Sequence, residues 1–378
     1  MILFYVQHLL GIGHLRRTLA IAQACLEEGL DVQVVSGGIP INQETFREVR
    51  VHQLPPVKSA DLSFSSIVDQ AGRPVTSALE QARADELLRI FSVIQPSVLV
   101  TELFPFGRRR FRFEIMPLLK EAKKRGTKVV CSVRDSVQVR SNQREEESLD
   151  LLKQFYDQVL VHGDTEFLPF DASFSKAASI MPTMRYTGLV DTNSSYSVQT
   201  QLQKVDETSE VLVSAGGGAA GEKIYQAASR ACALSKCSRP WRLLLGSNPT
   251  ERLKTEIKML GGNKVIVEAN RSDFRQLLSQ CAISISQVGY NTVVDLLATG
   301  APAIVIPFEG EGGQSEQSAR AKRLESIGRV RVLSEEALSA ERLCDLVSEM
   351  TDAHPSRFSR KTCNGAKNSA SALKKHLE

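Results

Sequence analysis

The sequence predicts an α/β protein of two doubly wound domains, each a parallel sheet with helices on both faces. Three observations carry that prediction. Short β-branched apolar runs alternate with longer stretches of helical spacing, the pattern of parallel strands buried on both sides. The pattern then restarts, because each half opens with a strand, a glycine-rich turn and a helix. Finally, 378 residues exceed what one core usually organises. Residues 191–208 are rich in Ser, Thr, Gln and Asn and poor in large apolar side chains, so they read as a linker. The expected layout is a domain over 1–190, the linker 191–208, a second domain over 209–355, and a basic tail over 356–378 that ends in a helix. A cleft is expected between the domains.

In the first half the expected strands are Ile2–Val6, Val32–Ser36, Ser97–Thr101, Lys128–Val133 and Gln158–Val161. Helical spacing falls between them at His14–Glu28, Ser77–Ile90 and Phe113–Arg125. In the second half the strands are Glu210–Ala215, Arg242–Gly246, Lys264–Val267, Ala282–Ser286, Ala303–Ile306 and Arg329–Val332. Helices are expected there at Ala219–Ser235, Asn291–Ala298 and Gln314–Ser326.

Composition excludes several classes. A net charge of +4 is too even for a dedicated nucleic-acid binder. No apolar run approaches the roughly 18 residues of a membrane span, and the start, Met1–Val6, lacks the basic flank of a secretory leader. The seven cysteines form no CxxC pair, and the six histidines form no HExxH. A zinc site and a disulfide framework are therefore not expected, and a reducing, cytoplasmic location is.

The two glycine turns are the first candidate sites. One is Gly11-Ile12-Gly13-His14-Leu15-Arg16-Arg17, the other Ser214-Ala215-Gly216-Gly217-Gly218-Ala219-Ala220-Gly221. Such turns let a backbone approach a ligand, and the following helix offers free N–H groups and a positive dipole to an anion. The second turn also matches GxGxxG, but the next strand ends in Leu245-Gly246-Ser247 without the acid a dinucleotide site wants. His14, at the carboxyl end of the first strand, is a candidate base, since a helix N-terminus disfavours its cation. Helix capping is its bland alternative. Arg16 and Arg17 face either phosphates or solvent.

The richest stretch is SISQVGYNTVVDLLATGAPAIVIPFEGEGGQSEQSARAKR, residues 284–323. After a strand and Gly289, Asn291 and Thr292 suit a helix N-terminus that meets an anion. Asp295, Glu316 and Gln317 supply the acceptors and donors that vicinal hydroxyls need. As plain helix acids, Asp295 and Glu316 would instead only complement a dipole.

These residues carry a resemblance. GxGHxxR after the first strand, the second glycine loop, SQVGYNTVVDLLATGAPAIVIPF and the downstream Glu-Gln are similar to glycosyltransferases of the GT-B fold. The similarity is to the family 28 group around the bacterial peptidoglycan GlcNAc transferase, and to predicted bacterial glycosyltransferases that share GHxRR and GYNT. The resemblance implies two Rossmann-like domains, with a nucleotide-sugar donor held by the second and an acceptor near the first. It implies that Asp295 holds the donor ribose and that Glu316 and Gln317 hold the donor sugar. Gly216, Gly217 and Gly218, with Ser214 beside them, would hold the diphosphate. Gly289, Asn291 and Thr292 would line the diphosphate and nucleoside, and Gly13 the facing loop. The terminal basic helix would pack back on the first domain.

The chain has no Asp-x-Asp pair, the carboxylate signal of metal-dependent transfer. The leaving diphosphate is then stabilised by helix dipoles and backbone N–H groups, and no cofactor is expected. Inversion needs one base, for which His14 and Glu102, each at a strand's carboxyl end, are the candidates. The expected reaction is inverting, metal-independent transfer from a nucleoside-diphosphate sugar, a UDP-sugar for preference, to an acceptor hydroxyl of a glycan, a lipid-linked carrier or a small molecule. A nucleotide-sugar hydrolase, a 2-epimerase and a non-catalytic nucleotide-sugar binder are the alternatives.

One patch stands apart. Phe104-Pro105-Phe106-Gly107-Arg108-Arg109-Arg110-Phe111-Arg112-Phe113 interleaves four phenylalanines with four arginines. It is a candidate for peripheral contact with the inner face of a membrane or for an acidic acceptor. The plainer reading makes its phenylalanines core and its arginines solvated.

Overall fold

Strand β1 (Ile2–Val6) is buried along its whole length, and its side chains alternate between two cores. The computed structural model describes the chain except for residues 10, 42–45, 47, 61–65, 194–205, 207, 216–218, 237, 247–248, 309–315 and 353–357. It divides into two units, Met1–Ser195 with Cys363–Glu378, and Tyr196–Thr362.

In the first unit β1 is followed by α1 (Gly13–Glu27), β2 (Val32–Ser36), β3 (Arg50–Gln53), the antiparallel pair β4 (Val57–Ser59) and β5 (Ile67–Asp69), and α2 (Ser77–Ile94). Then come β6 (Val98–Glu102), α3 (Arg112–Lys124), β7 (Lys128–Arg134), α4 (Asn142–Phe155), β8 (Gln158–His162) and β9 (Met184–Tyr186). Seven strands form a parallel sheet in the order β3-β2-β1-β6-β7-β8-β9. Leu3, Tyr5, Leu99, Val129 and Val161 point to one face, where Leu87 and Phe91 of α2, Ile115 and Leu119 of α3 and Leu152 of α4 cover them. Ile2, Phe4, Val98, Val130 and Leu160 point to the other, against Leu15 and Leu19 of α1. Ala370 and Leu373 of the terminal helix α11 (Gly365–Lys374) join that second core. Each such side chain contributes about 1.5–3 kcal/mol through burial. Those are the two layers a doubly wound sheet requires.

The second unit runs β10 (Val211–Ser214), α5 (Ala219–Leu234), β11 (Trp241–Leu244), α6 (Glu251–Gly261), β12 (Val265–Glu268), α7 (Phe274–Gln280) and β13 (Ile283–Ser286). It continues through α8 (Tyr290–Thr299), β14 (Ala303–Val305), α9 (Glu316–Ser326), β15 (Val330–Val332) and α10 (Ala340–Asp352). Its six strands are parallel in the order β12-β11-β10-β13-β14-β15. Val211, Val213, Leu243, Ile283, Ile285 and Ile304 share a core with Ile224 of α5, Ile257 of α6 and Leu343 of α10.

All the long strands foreseen from apolar runs form, with ends displaced by one or two residues. Helix α2 continues four residues past Ile90, to a left-handed cap at Gln95, φ 48°. Helices α4, α6, α7 and α10 and the short strands β3, β4, β5 and β9 add to the expected set. Helix α4 (NQREEESLDLLKQF) is mostly polar, and its apolar contribution rests on Leu149, Leu152 and Phe155, three residues apart on one buried stripe.

Candidate active site

Each sheet has a switch point where the strand order reverses, between β1 and β6 in the first unit and between β10 and β13 in the second. Ligands of open α/β sheets gather beyond the strand ends there. His14 and Glu102 lie at the first of these points, and Ser214, Gly289, Asn291, Thr292 and Asp295 at the second.

His14 is the second residue of α1, and Glu102 the last of β6. Their side chains meet across the switch point, His14 Nδ1 lying 2.8 Å from Glu102 Oε1. Glu102 is 1% exposed at its side chain and His14 15%, so the carboxylate is enclosed and the ring reaches outward. Arg17, one turn along α1, donates to the same Glu102 oxygen, with its Nη2 also 3.1 Å from His14 Nδ1. Burial alone would raise the Glu102 carboxyl, but Arg17 and the His14 bond hold it far below the usual carboxylate range. Burial pushes the His14 imidazole down to about 3; its bond to Glu102 opposes that, and the charges of Arg108 and Arg17 add to it. A neutral ring beside an ionised carboxylate bonds through Nδ1–H, which leaves Nε2 with the lone pair.

Glu102 is held from behind as well. Ser132, inside β7, donates to its Oε2 at 2.6 Å, as the register pairing of Glu102 with Ser132 allows. His162, the last residue of β8, stands with Nε2 2.8 Å from Ser132 Oγ and Nδ1 2.8 Å from Thr187 Oγ1. Burial pushes its imidazole down to about 3. The loop after Glu102 carries two non-glycine residues in the left-handed region, Leu103 at φ 69° and Arg108 at φ 60°, a strained backbone of the kind found at working sites. Arg108 Nε donates to the Gln7 carbonyl at 2.7 Å, and burial with the nearby Arg134 charge lowers its guanidinium to about 10. Arg17, which solvent or a phosphate was expected to claim, is 2% exposed because Glu102 takes its charge.

In the second unit Ser214 ends β10, while Gly216, Gly217 and Gly218 lie outside the described residues. Gly289 caps α8 at φ −62°, with no side-chain bond to the helix end, and no atom lies within 4 Å of where its Cβ would stand. Neither conformation nor a neighbour demands glycine here, so a ligand has room to approach the N–H groups of the first turn. Asn291 and Thr292 follow in that turn, both half-buried.

Asp295, the candidate diol ligand, is held on α8 by a basic partner. It is 6% exposed, and its Oδ1 accepts from Arg275 Nε at 3.0 Å and Nη2 at 2.5 Å. Glu316 opens α9, pairing with Arg320 at 3.3 Å. The Gln317 carbonyl oxygen accepts from the backbone N–H of Val288 and of Phe308, each at 3.1 Å. It therefore ties the turns after β13 and β14 together, and a sugar would meet only its NH2.

The Phe104–Phe113 patch corrects one expectation. Phe104, Phe106 and Phe111 are buried, Phe113 packs against the same core, and Arg109, Arg110 and Arg112 pair with Glu147, Glu80 and Glu147. Rings committed to the interior do not enter a lipid layer. Among the described residues no helix is long and apolar enough to cross a membrane, and no cluster of His, Cys, Asp or Glu is arranged as a metal site.

Four residues of these sites escaped sequence reasoning: Ser132, His162, Arg275 and, in its role, Arg17. His162 closes β8, while Ser132 lies two residues inside the end of β7, level with Glu102, where no sequence signal marks it.

Comparison with known proteins gives a family likeness and a fold likeness. Residues 211–377 match the model of the glycosyltransferase family 28 C-terminal domain. A UDP-N-acetylglucosamine--N-acetylmuramyl-(pentapeptide) pyrophosphoryl-undecaprenol N-acetylglucosamine transferase from Thermosipho africanus is 28% identical over 138 residues, 36% of this chain and 38% of that one. The chain thus covers well under half of this curated relative. Phytolacca americana UGT2, solved with UDP-2fluoro-glucose and pterostilbene, superposes with a TM-score of 0.63 at 15% identity, covering 100% of both chains. A putative UDP-N-acetylglucosamine 2-epimerase from Listeria monocytogenes also scores 0.63, at 10% identity over 100% of this chain and 95% of that one. The chain has the fold of the GT-B glycosyltransferases, two Rossmann-like units, and its residues 211–377 are similar to the C-terminal domain of glycosyltransferase family 28.

Proposed function

We propose that this protein transfers a sugar from a nucleoside-diphosphate sugar, a UDP-sugar for preference, to an acceptor hydroxyl, with inversion and without a metal. The observation that carries the reading is the neutral His14 imidazole, oriented by the buried Glu102 carboxylate at the β1–β6 switch point. In this reading His14 Nε2 takes the proton of the acceptor hydroxyl as its oxygen attacks the anomeric carbon and the bond to the diphosphate breaks. Glu102, enclosed and tied to Arg17, holds the ring and stabilises the imidazolium; it is a positioning residue and not the base. The departing diphosphate meets the N-terminus of α8 at Gly289, Asn291 and Thr292 and the Ser214 and Gly216–Gly218 turn, whose N–H groups and dipoles take up its charge. Asp295, fixed by Arg275, takes the ribose diol, and Glu316 with the Gln317 NH2 takes the sugar.

The 2-epimerase likeness keeps a second reading, hydrolysis or 2-epimerisation of the same donor, with His14 acting on water or on the sugar. Incubation of the protein with UDP-sugars, with and without candidate acceptors and with EDTA, tests the choice. Acceptor-dependent UDP release that survives EDTA, with a product of inverted anomeric configuration, supports transfer. Sugar release or a 2-epimer without an acceptor moves the protein to the second reading. Binding without consumption leaves only a nucleotide-sugar binding role.

A further inference from the structure

Two buried residues outside the direct contacts of His14 remain to be accounted for. Ser132 and His162 sit behind Glu102 on the adjacent strands β7 and β8, 2% and 0% exposed. Their bonds have one consistent direction. The Ser132 hydroxyl has a single proton, and the ionised Glu102 oxygen 2.6 Å away only accepts, so that proton goes to Glu102. His162 Nε2, 2.8 Å from the same hydroxyl, must then carry its own proton and donate to Ser132 Oγ. His162 Nδ1 is left as an acceptor for the Thr187 hydroxyl. The terminal helix supports that end, since Asn368 Nδ2 donates to the Thr187 carbonyl at 2.9 Å.

On the other side, His14 Nδ1 faces two opposite partners. Glu102 Oε1, an acceptor, lies 2.8 Å away; Arg17 Nη2, a donor, lies 3.1 Å away. With Glu102 in place, Nδ1 holds the proton and Nε2 is basic. If the carboxylate turned away, Nδ1 would accept from Arg17, the proton would move to Nε2, and the ring could no longer act as a base. The position of Oε1 depends on what anchors Oε2, because the two oxygens belong to one rigid plane.

We infer that Ser132 and His162 are positioning residues that lock Glu102 and thereby select the Nδ1–H tautomer of His14. The inference rests on the proposed use of His14 Nε2 as the base. Charged and titratable groups facing His14 are Arg17, Glu102 and Arg108; those facing His162 are Arg17 and Glu102. Neither positioning residue touches a reacting atom.

The test uses the full-length protein labelled with 15N-histidine at pH 7.5. One-bond and long-range 1H–15N correlations report which ring nitrogen of His14 bears the proton. Ser132→Ala and His162→Leu remove the anchor. Ser132→Thr retains the hydroxyl, and His162→Gln retains an N–H near the place of Nε2. The expected result is a single Nδ1–H form in wild type, Ser132→Thr and His162→Gln, with the Nε2–H form appearing in Ser132→Ala and His162→Leu. In the latter two, kcat falls about tenfold, equivalent to about 1.4 kcal/mol, with KM for the donor unchanged. If both anchor-less variants keep the Nδ1–H form, the inference is overturned, whatever their thermal stability. A tautomer shift in a protein that shows no transfer at all sustains the positioning role and refutes the function reading instead.

Discussion

Replacing Glu102 by Gln removes a charge from the interior while leaving the shape of the side chain. Glu102 and Arg17 are 1% and 2% exposed at their side chains, so the substitution leaves the Arg17 guanidinium enclosed without its counter-charge. Breaking a buried pair from one side costs about 3–5 kcal/mol, against a total stability of about 5–15 kcal/mol for a domain. At about 2–4 °C per kcal/mol for a unit of this size, the melting temperature of the first unit falls by about 6–20 °C. The paired change Arg17→Met with Glu102→Leu removes both charges and recovers most of that loss, without restoring an oriented His14. Urea unfolding at pH 7.5, followed by a probe in the first unit, measures both proteins. A Glu102→Gln variant within about 0.5 kcal/mol of wild type would refute the claim that Arg17 depends on this carboxylate.

Other expectations follow from the same geometry. His14 and His162 have imidazoles pushed down to about 3 from the ordinary 6.5, so only the unfolded chain takes up their protons as pH falls below 6.5. Stability is therefore full above pH 6.5 and drops by up to about 1.4 kcal/mol per pH unit for each ring below it; denaturant titrations with equal midpoints at pH 7 and pH 5 would contradict this. Gly365→Ala places a Cβ 2.3 Å from the Gly188 carbonyl oxygen, which unseats α11 at a cost of about 1–3 kcal/mol and exposes the C-terminus to limited proteolysis. Phe111→Ala costs about 3–5 kcal/mol, as a core deletion does, and leaves vesicle co-sedimentation unchanged; a loss of vesicle binding with full stability would restore the membrane reading of that patch.

The apolar strands were legible because parallel strands buried on both faces leave uninterrupted runs such as Ile2–Val6 and Val211–Val213. His14 and Glu102 could be singled out for the same reason, since each follows or ends such a run. What the chain order hides is adjacency. Glu102, Ser132 and His162 are each 30 residues apart in sequence, and they become neighbours only through the order β6-β7-β8. Arg17 was read as facing a phosphate or solvent because its burial is set by a carboxylate 85 positions away. The partner of Asp295 stayed hidden for the same reason, Arg275 lying on α7. The Arg/Phe patch misled in the opposite direction: alternating residue types say nothing of which acids, here Glu80 and Glu147, wait on α2 and α4.

The central claim is that a neutral His14 serves a nucleotide-sugar site. Its most direct test compares wild type with His14→Ala, measuring donor binding by thermal shift across UDP, GDP, dTDP, ADP and their sugars, and then turnover with the stabilising donor. The account predicts that one nucleoside diphosphate and its sugar raise the melting temperature of both proteins alike. It further predicts that His14→Ala loses about 10²–10⁴-fold in turnover. Unchanged turnover in that variant, or no stabilisation of wild type by any of these ligands, would contradict it.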